Sequence, residues 1–185
     1  KFVQNYKFIV DNGKRSNTLY SHATVVKIVG LVHGLYKNGL KLTAGPDYTV
    51  FDKPPYRAEN HLFQLANRKC GCGTVAEATI ALLRDVGFKT RLMGLANQTS
   101  KIVFNHVFLE YFSPEFGNWV MLDPMINGIP QSKGQPISAF KMLNNKDVRE
   151  EFNKRWAIGG EYDNWNTNGV YTEKKIMFFY TSGPF

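Results

Sequence analysis

Cysteine is scarce in this 185-residue chain: there are two, Cys70 and Cys72, separated by one glycine. Two thiols so close together cannot staple a small fold, which excludes a disulfide-framework miniprotein. Long hydrophobic runs are also lacking. The longest apolar-leaning stretch, Ala23 to Tyr36, is interrupted by Lys27, Gly30, His33 and Gly34, well short of the ~20 residues of a membrane-crossing helix. The glycines follow no period, and neither internal repeats nor low-complexity linkers occur, which excludes collagen-like and repeat architectures. Acidic residues are outnumbered, 15 against 23 basic, for a net charge of +8. The basic residues lie singly or in pairs (Lys14-Arg15, Arg68-Lys69, Lys154-Arg155, Lys174-Lys175) with no stripe that interleaves aromatics. Sequence-specific nucleic-acid recognition is therefore not expected, and a solvated basic surface is the favoured reading. The chain opens on Lys1 and reads as a processed or trimmed product without a leader of its own; an earlier signal peptide and the compartment both stay open.

What is present suffices for a core: 43% hydrophobic and 14% aromatic residues, expected to form one domain over 1–185. A short strand is expected at Tyr6 to Val10, ended by the turn signal Asp11-Asn12-Gly13. Ser21 is placed to cap a helix whose apolar positions Val25, Ile28, Val29, Val32 and Tyr36 recur at helical spacing, stopped by Asn38-Gly39. Leu40 to Pro55 reads as loop, and Arg57 to Asn67 as a short helix. Val75 to Val86 reads as a buried helix closed by Gly87. Strands are expected at Lys89 to Leu95, Val103 to Phe112 and Asn118 to Leu122, with Pro114 and Gly117 in the last turn. Further helices are expected at Ser138 to Asn144 and Val148 to Trp156, and a closing strand at Ile176 to Tyr180. A helix followed by an antiparallel meander argues an α+β fold.

The chemistry-bearing residues cluster around this segment. A thiol is a good nucleophile only as thiolate, which needs a nearby imidazolium or a helix N-terminus to lower its pKa. Cys72 stands at the predicted helix start, where N–H groups favour an anion and can serve a substrate oxyanion. Gly71 and Gly73 flank it and permit close approach of a substrate backbone. His106 falls inside a predicted strand and Asp123 at the end of the next, and adjacent antiparallel strands can set an imidazole beside an orienting carboxylate. Spacing alone does not establish a triad, since one Cys, one His and one Asp occur together in many chains.

Three blocks add a resemblance. Gly71-Cys72-Gly-Thr-Val-Ala76 with Leu82-Leu83-Arg84-Asp85-Val86-Gly87-Phe88-Lys-Thr-Arg91 resembles the nucleophile helix of the transglutaminase-like superfamily. Asn105-His106-Val107-Phe108-Leu109-Glu110-Tyr111 resembles that family's His-x-Phe/Trp-x-Glu strand, and Trp119-Val120-Met121-Leu122-Asp123-Pro124 its Trp-x-x-x-Asp-Pro closing motif. The recognisable core spans about residues 57–125. The resemblance implies a papain-like core with the nucleophile helix packed on an antiparallel sheet. It also implies a Cys72–His106–Asp123 triad, with Cys72 as nucleophile, His106 as general base and acid and Asp123 as orienting carboxylate. The implied activity is amide processing through a thioester, with peptidase or amidase hydrolysis favoured. Transglutaminase-type transfer to an amine, or a non-catalytic binding module keeping the fold, are the alternatives. The implied partner is a protein or peptide, including glycopeptide or cell-wall peptide, and neither cofactor nor metal is implied.

Other residues read more weakly. Cys70 departs from the family motif and is either a small buried residue or a second thiol protecting Cys72. Gln64, Asn67 and His61 precede the nucleophile where an oxyanion donor or cleft wall would lie. His22 and His33 read as core or surface histidines of the helix that follows Ser21. Glu110 shares the face of His106 and reads as a structural hydrogen-bonding group, and Trp119 as core beside the triad. The aromatic tail (Trp156, Tyr162, Trp165, Tyr171, Phe178, Phe179, Tyr180) reads as packing or as a substrate wall.

Overall fold

A computed structural model of the chain describes residues 2–38, 71–97, 103–158 and 175–180. Helix α1 (Phe2–Arg15) stands where a strand was expected at Tyr6 to Val10. Phe2, Tyr6, Ile9 and Val10 pack together against the core, and that spacing is a helical stripe; a five-residue window inside it cannot separate the two periods. Asn12-Gly13 is not a turn but the last part of the helix. Gly13 is buried and must be small, since a Cβ there would stand 3.0 Å from the Leu19 Cα. The chain reverses at Asn17, which adopts φ 54°.

Helix α2 (His22–Asn38) follows the expected pattern. The Ser21 hydroxyl accepts from the Thr24 N–H at 3.3 Å, a side-chain N-cap. Leu35, rather than the half-buried Tyr36, completes its buried stripe. Helix α3 (Cys72–Val86) begins three residues earlier than expected. It ends where expected, at Gly87 with φ 103°. The Gly87 N–H bonds the Arg84 carbonyl at 2.9 Å and the Phe88 N–H the Leu83 carbonyl at 3.0 Å. This pairing is the Schellman closure, in which the left-handed residue is normally glycine.

Strands β1 (Thr90–Asn97), β2 (Val103–Ser113) and β3 (Asn118–Leu122) form the expected antiparallel meander. Two further short strands, β4 (Gln131–Ser132) and β5 (Gln135–Pro136), were not anticipated. Lys133 and Gly134 join them with φ of 51° and 74°, a two-residue hairpin turn with both central residues left-handed. Helix α4 (Ala139–Leu143) lies between Ser138, whose hydroxyl accepts from the Lys141 N–H, and Asn144. Helix α5 (Lys146–Ile158) starts two residues before the expected Val148, because Asn145 supplies a cap: its Oδ1 accepts from the Val148 N–H at 3.2 Å. Strand β6 (Lys175–Tyr180) pairs antiparallel with β1 and completes the sheet order β3-β2-β1-β6.

The fold is α+β, with helices on both faces of the sheet. Leu92, Leu109, Tyr111, Val120 and Leu122 pack with the buried stripes of α2 and α3. Their strand neighbours Met93, Phe108 and Met121 point the other way, into Ala139, Met142, Leu143 and Phe152 of α4 and α5. Two covered faces explain why these strands read as continuous apolar runs rather than alternating ones. The loop expected at Leu40 to Pro55 and the helix at Arg57 to Asn67 lie outside the described residues.

Gly87→Ala is expected to cost about 1–2 kcal/mol, because a side chain is forced into the left-handed region. The new Cβ would also lie 3.1 Å from the Tyr20 ring. Urea unfolding should show a lower midpoint at unchanged slope; a midpoint equal to the parent's contradicts this reading of the helix end.

Candidate active site

Cys72 is the first residue of α3 and is half-buried. Gly71, the residue that caps the helix, is extended and offers no side chain, while its carbonyl accepts the Val75 N–H at 3.2 Å. Instead of a capping hydroxyl, the Cys72 sulfur takes the N–H of Gly73, at the positive end of the helix dipole. It also takes the N–H of Val107 on β2. That donor is available because the β2–β3 ladder stops at Leu109–Leu122, so Val107 has strand β1 on one flank and not β3 on the other. Among the described residues, nothing lies within 4 Å of a Cβ built at Gly71 or Gly73.

His106 sits one residue before Val107, at an irregularity in the sheet. Leu95 pairs with His106 but Ala96 with Phe104, leaving Asn105 as the extra residue of a bulge. A bulge bends its strand and re-aims the neighbouring side chain, here the imidazole. The ring is stacked on Phe108 with centroids 6.2 Å apart. Its Nε2 lies 2.8 Å from Asp123 Oδ2, and both side chains are almost wholly buried. With Nε2 engaged, Nδ1 is the ring nitrogen left for the hydrogen bond that His106 makes with the Cys72 thiol.

Asp123 follows β3 immediately, as expected for the strand end. Its Oδ1 accepts the Met125 N–H at 3.1 Å. Its backbone forms a two-way bridge with Gly128, at 2.8 and 2.9 Å. Gly128 must be small: a Cβ there would lie 2.8 Å from the tip of the Phe152 ring and 2.9 Å from Ile126.

Burial is the strongest single influence on the Cys72 thiol and pushes its pKa up. The hydrogen bond and positive charge of His106, with the Val107 and Gly73 N–H groups, outweigh it and bring the pKa below the ordinary 9.0. For His106, burial pushes down, but the Asp123 charge and hydrogen bond, helped by Cys72, raise it from 6.5 to about 9. Both shifts favour a thiolate–imidazolium pair at neutral pH.

The structure thus brings Cys72, His106 and Asp123 into one hydrogen-bonded chain. Cys70, His61, Gln64 and Asn67 lie outside the described residues, as does the aromatic tail apart from the course of α5 and β6. Glu110 accepts from Arg91 at 2.6 Å and from the Ala139 N–H at 2.8 Å, tying β1 and the start of α4 to the sheet. Trp119, expected as core beside the triad, is instead half-buried at the far end of β3. It pairs across from Phe112, with the Arg91 guanidinium 4.1 Å above its ring. His22, at the start of α2, bonds the Tyr111 hydroxyl through Nδ1 at 2.5 Å. Among the described residues, no group of three or more His, Cys, Asp or Glu side chains is placed to hold a metal ion. The groups that side-chain reading missed are the Val107 and Met125 N–H donors and the Gly128 bridge; backbone donors leave no mark in composition, and Gly128 alone hints at close packing. Comparison of the chain with protein-family models, curated proteins and solved structures returns no match.

The two pKa shifts act on stability in opposite senses. A histidine raised in the folded state adds stability that is complete below 6.5 and lost as pH climbs through about 9. A lowered thiol adds stability that is present above 9.0 and lost as pH falls through its folded value. Between 6.5 and 9 the histidine's contribution therefore falls as pH rises, and in the parent the thiol's contribution, growing toward 9.0, opposes it. Cys72→Ser removes the thiol's share, so the variant should lose stability relative to the parent as pH rises across that window. Urea unfolding of both proteins at the two ends of the window checks this, and parallel trends would count against the ion pair.

Proposed function

We propose that the protein is a cysteine-dependent amide-processing enzyme that works through a thioester intermediate, with hydrolysis as its usual outcome. The supporting observation is the buried chain from Asp123 through His106 to the Cys72 sulfur at the start of α3. The order of the motifs, with nucleophile helix, histidine strand and Asp-Pro closure, supports a place among the transglutaminase-like, papain-like thiol enzymes. The Cys72 thiolate attacks an amide carbonyl, and N–H groups at the helix start receive the developing oxyanion. His106 gives its proton to the departing amine, the thioester forms, and His106 then takes a proton from water as the water attacks. Asp123 keeps Nε2 engaged, so the proton is handed over from the face turned to Cys72. Gly71 and Gly73 keep the sulfur approachable by a peptide backbone. Among the described residues no helix is long and apolar enough to cross a membrane.

The test is mass-spectrometric detection of new amino termini in an unfolded protein mixture, run with and without a fluorescent primary amine. New termini should form with the parent and fall by about a thousandfold or more with Cys72→Ala or His106→Ala. Asp123→Asn should retain some activity, since it alters orientation rather than removing the nucleophile. Amine incorporation in place of cleavage would assign the transfer outcome. No amide chemistry, together with thiol reactivity indifferent to His106→Ala, would overturn the enzyme reading in favour of a binding module.

A further inference from the structure

A turn holds a side chain only as firmly as its own backbone is held, and the carboxylate facing His106 is carried on one. One bond to this turn comes from far away in sequence. His33 on α2 places Nδ1 3.1 Å from the Pro124 carbonyl oxygen; a carbonyl only accepts, so Nδ1 carries the proton. The Pro124 carbonyl and the Met125 N–H belong to the same peptide unit, which is planar. That N–H is the group that donates to Asp123 Oδ1 at 3.1 Å. Fixing one end of the plane therefore fixes the donor at the other end, and a hydrogen bond to the carbonyl also polarises the N–H.

The placement follows from how the helices pack. Tyr20, just before α2, lies against Gly87 and Phe88, just after α3, so the later turns of α2 run toward the Cys72 end. At Gly30, one turn before His33, a Cβ would stand 4.0 Å from the Asn127 side-chain oxygen, so this face of α2 looks onto the same turn. Tyr36, one turn after, tilts its ring against His33 with centroids 6.4 Å apart.

We propose that His33 is a positioning residue of the thiol site, acting through the Pro124–Met125 peptide to hold the Asp123 carboxylate against His106. The proposal rests on the reading of Cys72 and His106 as a reactive pair. The readout is the rate of Cys72 alkylation by iodoacetamide against pH, followed by peptide mass spectrometry in the parent, His106→Ala, His33→Leu and His33→Asn. His33→Leu should move the inflection upward by about one pH unit, roughly tenfold slower labelling on the acid side. His33→Asn, whose amide can donate from nearly the position of Nδ1, should restore the parent profile. In an Asp123→Asn background, His33→Leu should add nothing further, because the two act in series.

The outcomes separate the two claims. Coincident profiles for the parent and His106→Ala would remove the reactive pair and the proposal with it. A parent that differs from His106→Ala, alongside an unchanged His33→Leu, would overturn the positioning role alone. Should His33→Leu fail to fold, nitrogen NMR on the parent decides: a protonated Nδ1 with a slowly exchanging proton is expected, and a bare Nδ1 on His33 overturns the proposal.

Discussion

The hydrogen-bonded pair between His106 and Asp123 is the constraint around which this site is built. An imidazolium taken out of water is costly, and a carboxylate taken out with it more so, unless geometry and further hydrogen bonds are good. Here the geometry is 2.8 Å between Nε2 and Oδ2, and the second carboxylate oxygen has its own donor in the Met125 N–H. Removing either partner would strand the other in a site with almost no solvent. The cationic histidine in turn makes a thiolate tolerable at a half-buried position where desolvation alone would keep the thiol protonated.

Two departures from regular sheet geometry make the pair possible. Strand β3 stops pairing with β2 at Leu122, so the Asp123 backbone bridges Gly128 while its side chain reaches His106, and Val107 keeps an N–H for the sulfur. The bulge at Asn105 then sets the aim of His106. A fully paired three-stranded meander would have spent the Val107 donor on β3. The end of the sheet that carries the candidate triad is thus the end where pairing is incomplete, a common location for functional side chains.

How much of this was legible follows from which physical signals a sequence carries. Helix α2 was legible because Ser21 caps it and its apolar residues recur over four turns; helix α3 was legible because Gly87 closes it, though its start was placed at Val75 rather than Cys72. Helix α1 was not, because the five residues Tyr6 to Val10 followed by Asp11-Asn12-Gly13 imitate a strand and turn, while the packing of Gly13 on Leu19 is a tertiary fact. The side chains of the candidate triad could be named because thiol, imidazole and carboxylate chemistry is tied to residue type. Trp119 was misplaced because membership of a motif says nothing about which end of a strand faces the site. The donors that tune the site are main-chain N–H groups, which every residue but proline has.

The turn from Asp123 to Gly128 is gripped from both sides of the sheet. His33 reaches it from α2, in the layer that also holds α3 and Cys72. Phe152 reaches Gly128 from α5, in the opposite layer. The Asp123 carboxylate is therefore at the junction of two hydrophobic cores rather than at the edge of one. Close-packed interiors transmit strain, and both layers bear on this one turn. The arrangement gives a physical reason for covering both faces of so small a sheet: one layer carries the Cys72 thiol, and the other braces the turn that holds the Asp123 carboxylate beside His106.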